Sequence, residues 1–239
     1  KMRKALEEFY AISVREASMI QMLEQLNLPI SIQTVVDPTL LLKKEDYIQG
    51  LKLEKMVSAG KYIFVYILGG TKAYGNIVNE AKKIAKRNGL QIKYVFDNNN
   101  AMIKNIGFDC SGCNPREFVS MIYNAEYVLT NSFHATVFSI IFKKNFTSCA
   151  RGKSSGRITE LLSSLGLEER FNLESNGCII AINSYDKVHQ LLADMKTESM
   201  IYLEKRGNSL FGIVSELFSK CVSKGLSASL HSFEYLLRV

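Results

Sequence analysis

Val128-Leu129-Thr130-Asn131-Ser132-Phe133-His134-Ala135-Thr136-Val137-Phe138 is the stretch that decides how this chain folds. A β-favouring apolar run, Tyr127 to Leu129, stops at polar Thr130 and Asn131. Apolar residues at helical spacing (Phe133, Val137, Ile140, Ile141) open at once. Period two and period 3.6 cannot share an element, so the chain passes here from strand to helix. Ser132 is the predicted N-cap, its hydroxyl able to accept a bond from an orphan first-turn N–H. His134 then stands at a strand-to-helix corner. In open α/β sheets such corners, at the carboxyl ends of strands, are where ligands bind. Helix N-termini there offer N–H groups and a positive dipole end to anions, so the corner points to an anionic substrate.

The neighbouring pattern makes the sheet parallel. Lys61 to Leu68 is a nearly continuous apolar run followed by glycine, the mark of a strand covered on both faces. A basic amphipathic helix is expected from Asn76 to Asn88, with Gly89 just past its end, and then a strand from Leu90 to Phe96. The stretch from Asp97 to Cys113 reads as an irregular loop, and Pro115 as the first turn of a helix reaching Asn124. Asn145 to Cys149 is expected as a strand, Arg157 to Leu165 as a helix closed by Gly166, and Cys178 to Ile182 as a last strand. Upstream, a helix is expected over Arg15–Leu26, a strand over Ile32–Val36, a break at Asp37-Pro38 and a helix over Glu45–Val57. From Tyr185 onward the pattern is helical. Strands alternating with ten-residue helices imply βαβ units, hence an α/β, Rossmann-like parallel sheet with flanking helices and a helical tail.

Composition narrows the function. The 239 residues allow one large or two small domains. No run approaches the ~18 apolar residues of a membrane span, and no secretory signal is visible. The net charge of +7 is spread over a solvated helix face (Lys82, Lys83, Lys86, Arg87) and one loop (Arg151, Lys153, Arg157). No nucleic-acid motif or aromatic stacking platform accompanies it, which argues against a nucleic-acid partner. Five cysteines, an odd number, suit a reducing compartment. Cys110-Ser111-Gly112-Cys113 is a lone CxxC without the four ligands of a structural zinc, and is read as two loop thiols; no metal is expected. His189 and His231 are read as surface residues. Gly69 to Gly75 follows a strand but lacks dinucleotide-site spacing.

Asn124 to His134 resembles the signature of the polysaccharide pyruvyl transferase family. So do Ser13-Val14-Arg15-Glu16, Val36-Asp37-Pro38-Thr39-Leu40-Leu41, Arg157-Ile158 through Leu161-Leu162, Leu165-Gly166-Leu167 and Arg170, in the right order. The resemblance covers roughly residues 10–172. It implies a GT-B-like architecture of two Rossmann-like halves facing a cleft. On that pattern residues 1–55 are the remnant of an amino-terminal half, 56–183 the carboxy-terminal Rossmann-like domain, and 184–239 a helical tail packing back on the missing part of the first half. The implied activity moves a pyruvyl group from phosphoenolpyruvate to sugar hydroxyls as a ketal, on a saccharide or lipid-linked saccharide acceptor. No cofactor is implied, and the implied location is the cytoplasm, with room for peripheral attachment at the inner face of the membrane.

Such chemistry needs guanidinium groups and helix N-termini for a doubly anionic donor, and a group titrating near neutral pH for proton transfers. By resemblance His134 is the catalytic histidine and Arg15 holds the donor's carboxylate or phosphate. The backbone N–H groups of Ser132 and Phe133 lie beside the donor, and Arg151 and Arg157 join by position. The competing readings are a buried core histidine for His134, a structural ion pair for Arg15 and an ordinary first-turn residue for Arg157. Asp37-Pro38 reads as a turn without chemistry. Ser132-Phe133 stands where many members carry arginine-leucine, and Ala135 where glycine is common. With most of one cleft wall absent, this polypeptide alone is expected to be weakly active at best. A nucleotide-sugar glycosyltransferase of the same architecture and a non-catalytic sugar- or anion-binding relative are the alternatives.

Overall fold

The apolar run Tyr62–Ile67 is buried at every position and forms the central strand of a five-stranded parallel sheet. A computed structural model describes residues 2–56, 60–69, 74–96, 106–150, 155–172, 177–182 and 185–206. In chain order the elements are α1 (Met2–Leu6), β1 (Ile12–Val14), α2 (Ala17–Glu24), β2 (Ile32–Thr34), α3 (Pro38–Leu41), α4 (Lys44–Leu51), β3 (Tyr62–Ile67), α5 (Tyr74–Asn88), β4 (Gln91–Phe96), β5 (Phe108–Asp109), α6 (Pro115–Asn124), β6 (Tyr127–Thr130), α7 (Phe133–Ile141), β7 (Asn145–Ser148), α8 (Gly156–Ser164) and α9 (Tyr185–Arg206).

Alternation along β3 builds two cores at once. Tyr62, Phe64, Tyr66 and Leu68 pack with Phe118 and Ile122 of α6 and Val137 and Phe138 of α7. Ile63, Val65 and Ile67 pack with Ile77, Ala81 and Ile84 of α5 on the other face. Burial on both faces is why the run reads as continuously apolar. The strand order is β5-β4-β3-β6-β7, all parallel. The chain leaves β3 in one direction and returns to its other side at β6. The order therefore reverses between β3 and β6, which is where doubly wound sheets bind ligands. Asn131 stitches that gap: its Oδ1 accepts from Leu68 N–H at 2.7 Å and its Nδ2 donates to Leu68 O at 2.8 Å. Thr130 Oγ1 adds a bond to Tyr66 O at 2.6 Å.

A second, two-stranded parallel sheet pairs β1 with β2. The helix expected from Arg15 begins only at Ala17, because β1 runs to Val14 and Glu16 is still extended. Asp37-Pro38 is more than a break. Asp37 caps the single turn of α3, accepting from Thr39 N–H at 3.1 Å and Thr39 Oγ1 at 2.6 Å, with proline at its first position. The tail α9 packs back on this small sheet. Ser199 Oγ accepts from Val36 N–H at 2.9 Å, Tyr202 Oη donates to Ile12 O at 3.0 Å, and Lys196 Nζ donates to Leu42 O at 2.9 Å.

One expected strand does not form. Residues 178–182 carry no ladder, because the buried Arg170 spends its guanidinium on the carbonyls of Ile180 and Ala181, each at 2.7 Å. The stretch read as a loop holds the short edge strand β5. It lies against β4 so closely that a Cβ on Gly107 would meet Ile92 O at 2.1 Å. Most of that stretch, 97–105, lies outside the described residues, as do residues 207–239 of the tail.

Candidate active site

The corner forms where the sequence places it. Strand β6 ends at Thr130, Ser132 caps α7 by accepting from Ala135 N–H at 3.4 Å, and His134 sits in the first turn. The helix start is less open than expected. The Ser132 N–H is already taken by Thr130 Oγ1 at 3.0 Å, and Ser132 itself is buried. The His134 side chain is covered too, with 4% of the residue exposed. Its ring packs edge-on against Phe133 with centroids 5.5 Å apart. Phe133, unlike His134, lines an open cavity of about 420 Å³.

That cavity brings together three of the expected site residues, Arg15, Phe133 and Arg157, between the small sheet, α8 and α9. What gathers them is Asp37, whose side chain is 1% exposed. Its Oδ2 accepts from Arg15 Nη1 at 2.8 Å and from Arg157 Nη2 at 3.4 Å. Arg157 Nε lies 2.6 Å from Glu16 Oε1, and the Arg157 guanidinium stacks 4.2 Å from the centre of the Phe133 ring. Arg15 and Glu16 leave the end of β1, Asp37 follows β2, and Arg157 opens α8. The carboxyl ends of the small sheet thus meet the start of a helix from the large one. Pairing across this junction is what a structural reading of Arg15 requires. It also brings two cations to one point on a cavity wall, where the Asp37 and Glu16 carboxylates balance their charge. Arg151 lies outside the described residues, as do residues 70–73 of the glycine-containing loop.

Sequence reasoning missed Asp37. The proline after it explained the residue as a turn, and its partners lie 22 and 120 positions away. The one available signal was Arg15, just past the end of β1, since a buried carboxylate needs a cation. The other marked residues stay apart from the junction. Cys110 and Cys113 are free thiols in a turn beside Lys93 and Tyr62, and burial pushes Cys113 up to about 12. His189, expected at the surface, is half-buried with its Nε2 3.0 Å from Ile140 O, and burial lowers its pKa. Among the described residues no group of acids, histidines and cysteines could hold a metal ion, and no helix is long and apolar enough to cross a membrane.

A family model described as polysaccharide pyruvyl transferase matches residues 1–153, about two thirds of the chain. The chain belongs to the polysaccharide pyruvyl transferase family. The match takes in Arg15, Asp37 and the Ser132–His134 corner of this pyruvyl transferase family member and stops just before Arg157. No curated protein matches it. Three solved structures of the wall teichoic acid polymerase TagF align at TM-scores of 0.40 to 0.41 and 10 to 11% identity, covering 90 to 91% of this chain. The chain spans 59% of the length of those structures.

Proposed function

We propose that the complete protein transfers a pyruvyl group from phosphoenolpyruvate to sugar hydroxyls in the synthesis of cell-surface polysaccharide. Family membership supports a transferase of polysaccharide synthesis, and pyruvyl transfer is the reading it favours. The observation that favours a small dianionic donor is the pair of guanidinium groups, Arg15 and Arg157, anchored on one oxygen of Asp37 at the wall of the cavity. A carboxylate and a phosphate on one three-carbon skeleton suit two arginines so placed, because guanidinium forks bind both groups bidentately.

In this reading Arg15 and Arg157 hold the donor beside Phe133, and Arg151 is a further ligand for it. Ser132 fixes the corner as cap of α7, and Phe133 supplies the apolar wall. His134 moves the protons. The enol carbon gains a proton, leaving an oxocarbenium-like carbon. A sugar hydroxyl adds to it and loses its proton to the base. A second hydroxyl then closes the ketal as the C–O bond to phosphate breaks, and its proton leaves with the phosphate. Only 4% of His134 is exposed and its ring packs against Phe133, so the donor engages it when the Phe133 side of the corner opens. The acceptor is a saccharide or lipid-linked saccharide, met in the cytoplasm or at the inner face of the membrane. In the same proposal residues 1–55 contribute the amino-terminal wall of the cleft, 56–183 the carboxy-terminal domain, and the tail from 184 its brace.

The test incubates the complete protein with phosphoenolpyruvate and a bacterial surface polysaccharide, following phosphate release together with the ketal methyl signal by NMR. Both should appear in parallel. Phosphate release without a ketal, or turnover with nucleotide sugars in place of phosphoenolpyruvate, would remove this reading.

A further inference from the structure

Asp37 is the residue on which the junction turns, and nothing in the pyruvyl-transfer chemistry uses it directly. We propose that Asp37 is a positioning residue, holding the Arg15 and Arg157 guanidinium groups side by side so that a single anionic donor can engage both. This rests on the donor reading above and adds to it the device that sets the spacing of the two cations.

The geometry supports the role in four ways. Both arginines bind the same atom, Oδ2, so their bound nitrogens lie within about 6 Å of each other however the side chains are disposed. The carboxylate is itself fixed: Oδ1 accepts from both the backbone N–H and the hydroxyl of Thr39, which leaves Oδ2 to the two arginines. Arg157 has two further holds, the Glu16 carboxylate on its Nε side and the Phe133 ring beneath its plane. Arg15 and Arg157 come from different sheets and retain long, flexible stems. A buried acceptor shared between them removes freedom that the donor would otherwise have to freeze on binding. The Asp37 side chain is 1% exposed while the two arginines are each about a quarter exposed, so the anchor is covered and the working groups face the cavity.

Three variants of the complete protein test this: Asp37→Asn, which keeps the shape and removes the charge; Thr39→Val, which only loosens the carboxylate; and Arg157→Lys. Binding of phosphoenolpyruvate and of UDP-glucose is measured by calorimetry, the donor KM and kcat by phosphate release, and the folded fraction by circular dichroism at the assay temperature. Asp37→Asn should raise the donor Kd and KM at least tenfold while kcat falls less than threefold. Thr39→Val should shift both in the same direction by two- to fivefold. Asp37→Asn added to Arg157→Lys should cost much less than it does in the native background, because the group it positions is already altered. Native affinity in a folded Asp37→Asn protein, or strictly additive losses, would overturn the positioning role. If Asp37→Asn does not fold, an unchanged Kd in Thr39→Val overturns it equally. Should the unmodified protein bind UDP-glucose and not phosphoenolpyruvate, the donor reading fails, and the same variants judge Asp37 on the nucleotide sugar. Binding of neither ligand removes both.

Discussion

Replacing Asn131 by alanine removes the stitch between β3 and β6 at the point where the strand order reverses. The side chain is 2% exposed and satisfies both the N–H and the C=O of Leu68, itself buried, at 2.7 and 2.8 Å. Neither group has a strand partner at that position, because the β3–β6 ladder ends at Tyr66↔Thr130. Leaving a buried backbone group unsatisfied costs roughly 1–3 kcal/mol. Two such groups therefore give about 2–6 kcal/mol, a large share of the ~5–15 kcal/mol that holds a domain together. Urea unfolding followed by circular dichroism is the assay. With m of about 2–3 kcal/mol/M for a chain of this size, the midpoint should fall by about 1–3 M at unchanged m. Asn131→Asp keeps the acceptor for Leu68 N–H but sets an oxygen against Leu68 O and buries a charge, so it should be no better than alanine. A midpoint within 0.2 M of the unmodified protein would mean that the stitch carries no load, and the reasoning about the switch point would be wrong.

The remaining expectations are simpler to state. Phe138→Ala, deleting a ring that meets Tyr47 edge-on at 5.1 Å in the core, should cost about 3–5 kcal/mol in the same urea assay. Ser132→Ala should cost nearer ~0.5–1 kcal/mol, since its capping bond is long at 3.4 Å, and the proton exchange of the first-turn amides of α7 should rise with it. Burial pushes both Cys113 and Cys149 from 9.0 up to about 12, so the folded state keeps its thiol protons where the unfolded chain loses them. That stability is fully present below pH 9 and is lost as pH rises from 9 toward 12; Tm measured over pH 8–11 should fall less steeply in Cys149→Ala. His134→Ala in the complete protein should reduce kcat by about 10²- to 10⁴-fold if the ring transfers protons. Unchanged turnover would make it a core residue and nothing more.

The parts of the fold that were legible in the sequence are those where one local rule acts alone. Burial on both faces wrote β3 as an unbroken apolar run, and the change of period at Thr130 to Phe133 marked the corner to the residue. Asn114, Pro115 and Glu117 encode the start of α6 through a reciprocal capping box. What escaped was long-range. Residues 178–182 have strand-like composition, but Arg170 claims the carbonyls a ladder would have used. Two-residue β5 is too short to show an alternation and depends on the close approach at Gly107. His189 looks polar and exposed in its helix, yet its partner is a carbonyl 49 positions away. The site followed the same division. Arg15, Phe133 and Arg157 could be nominated one by one, but their meeting at Asp37 needs the two sheets to be docked.

The most direct measurement is a crystal structure of the complete protein soaked with phosphoenolpyruvate. The donor should lie in the cavity beside Phe133, one anionic group on Arg15 and the other on Arg157, with the Glu16 carboxylate displaced from Arg157 and the enol carbon turned toward His134. A ligand bound elsewhere, or a saturated crystal in which Arg157 still holds Glu16 and the cavity is empty, would contradict it.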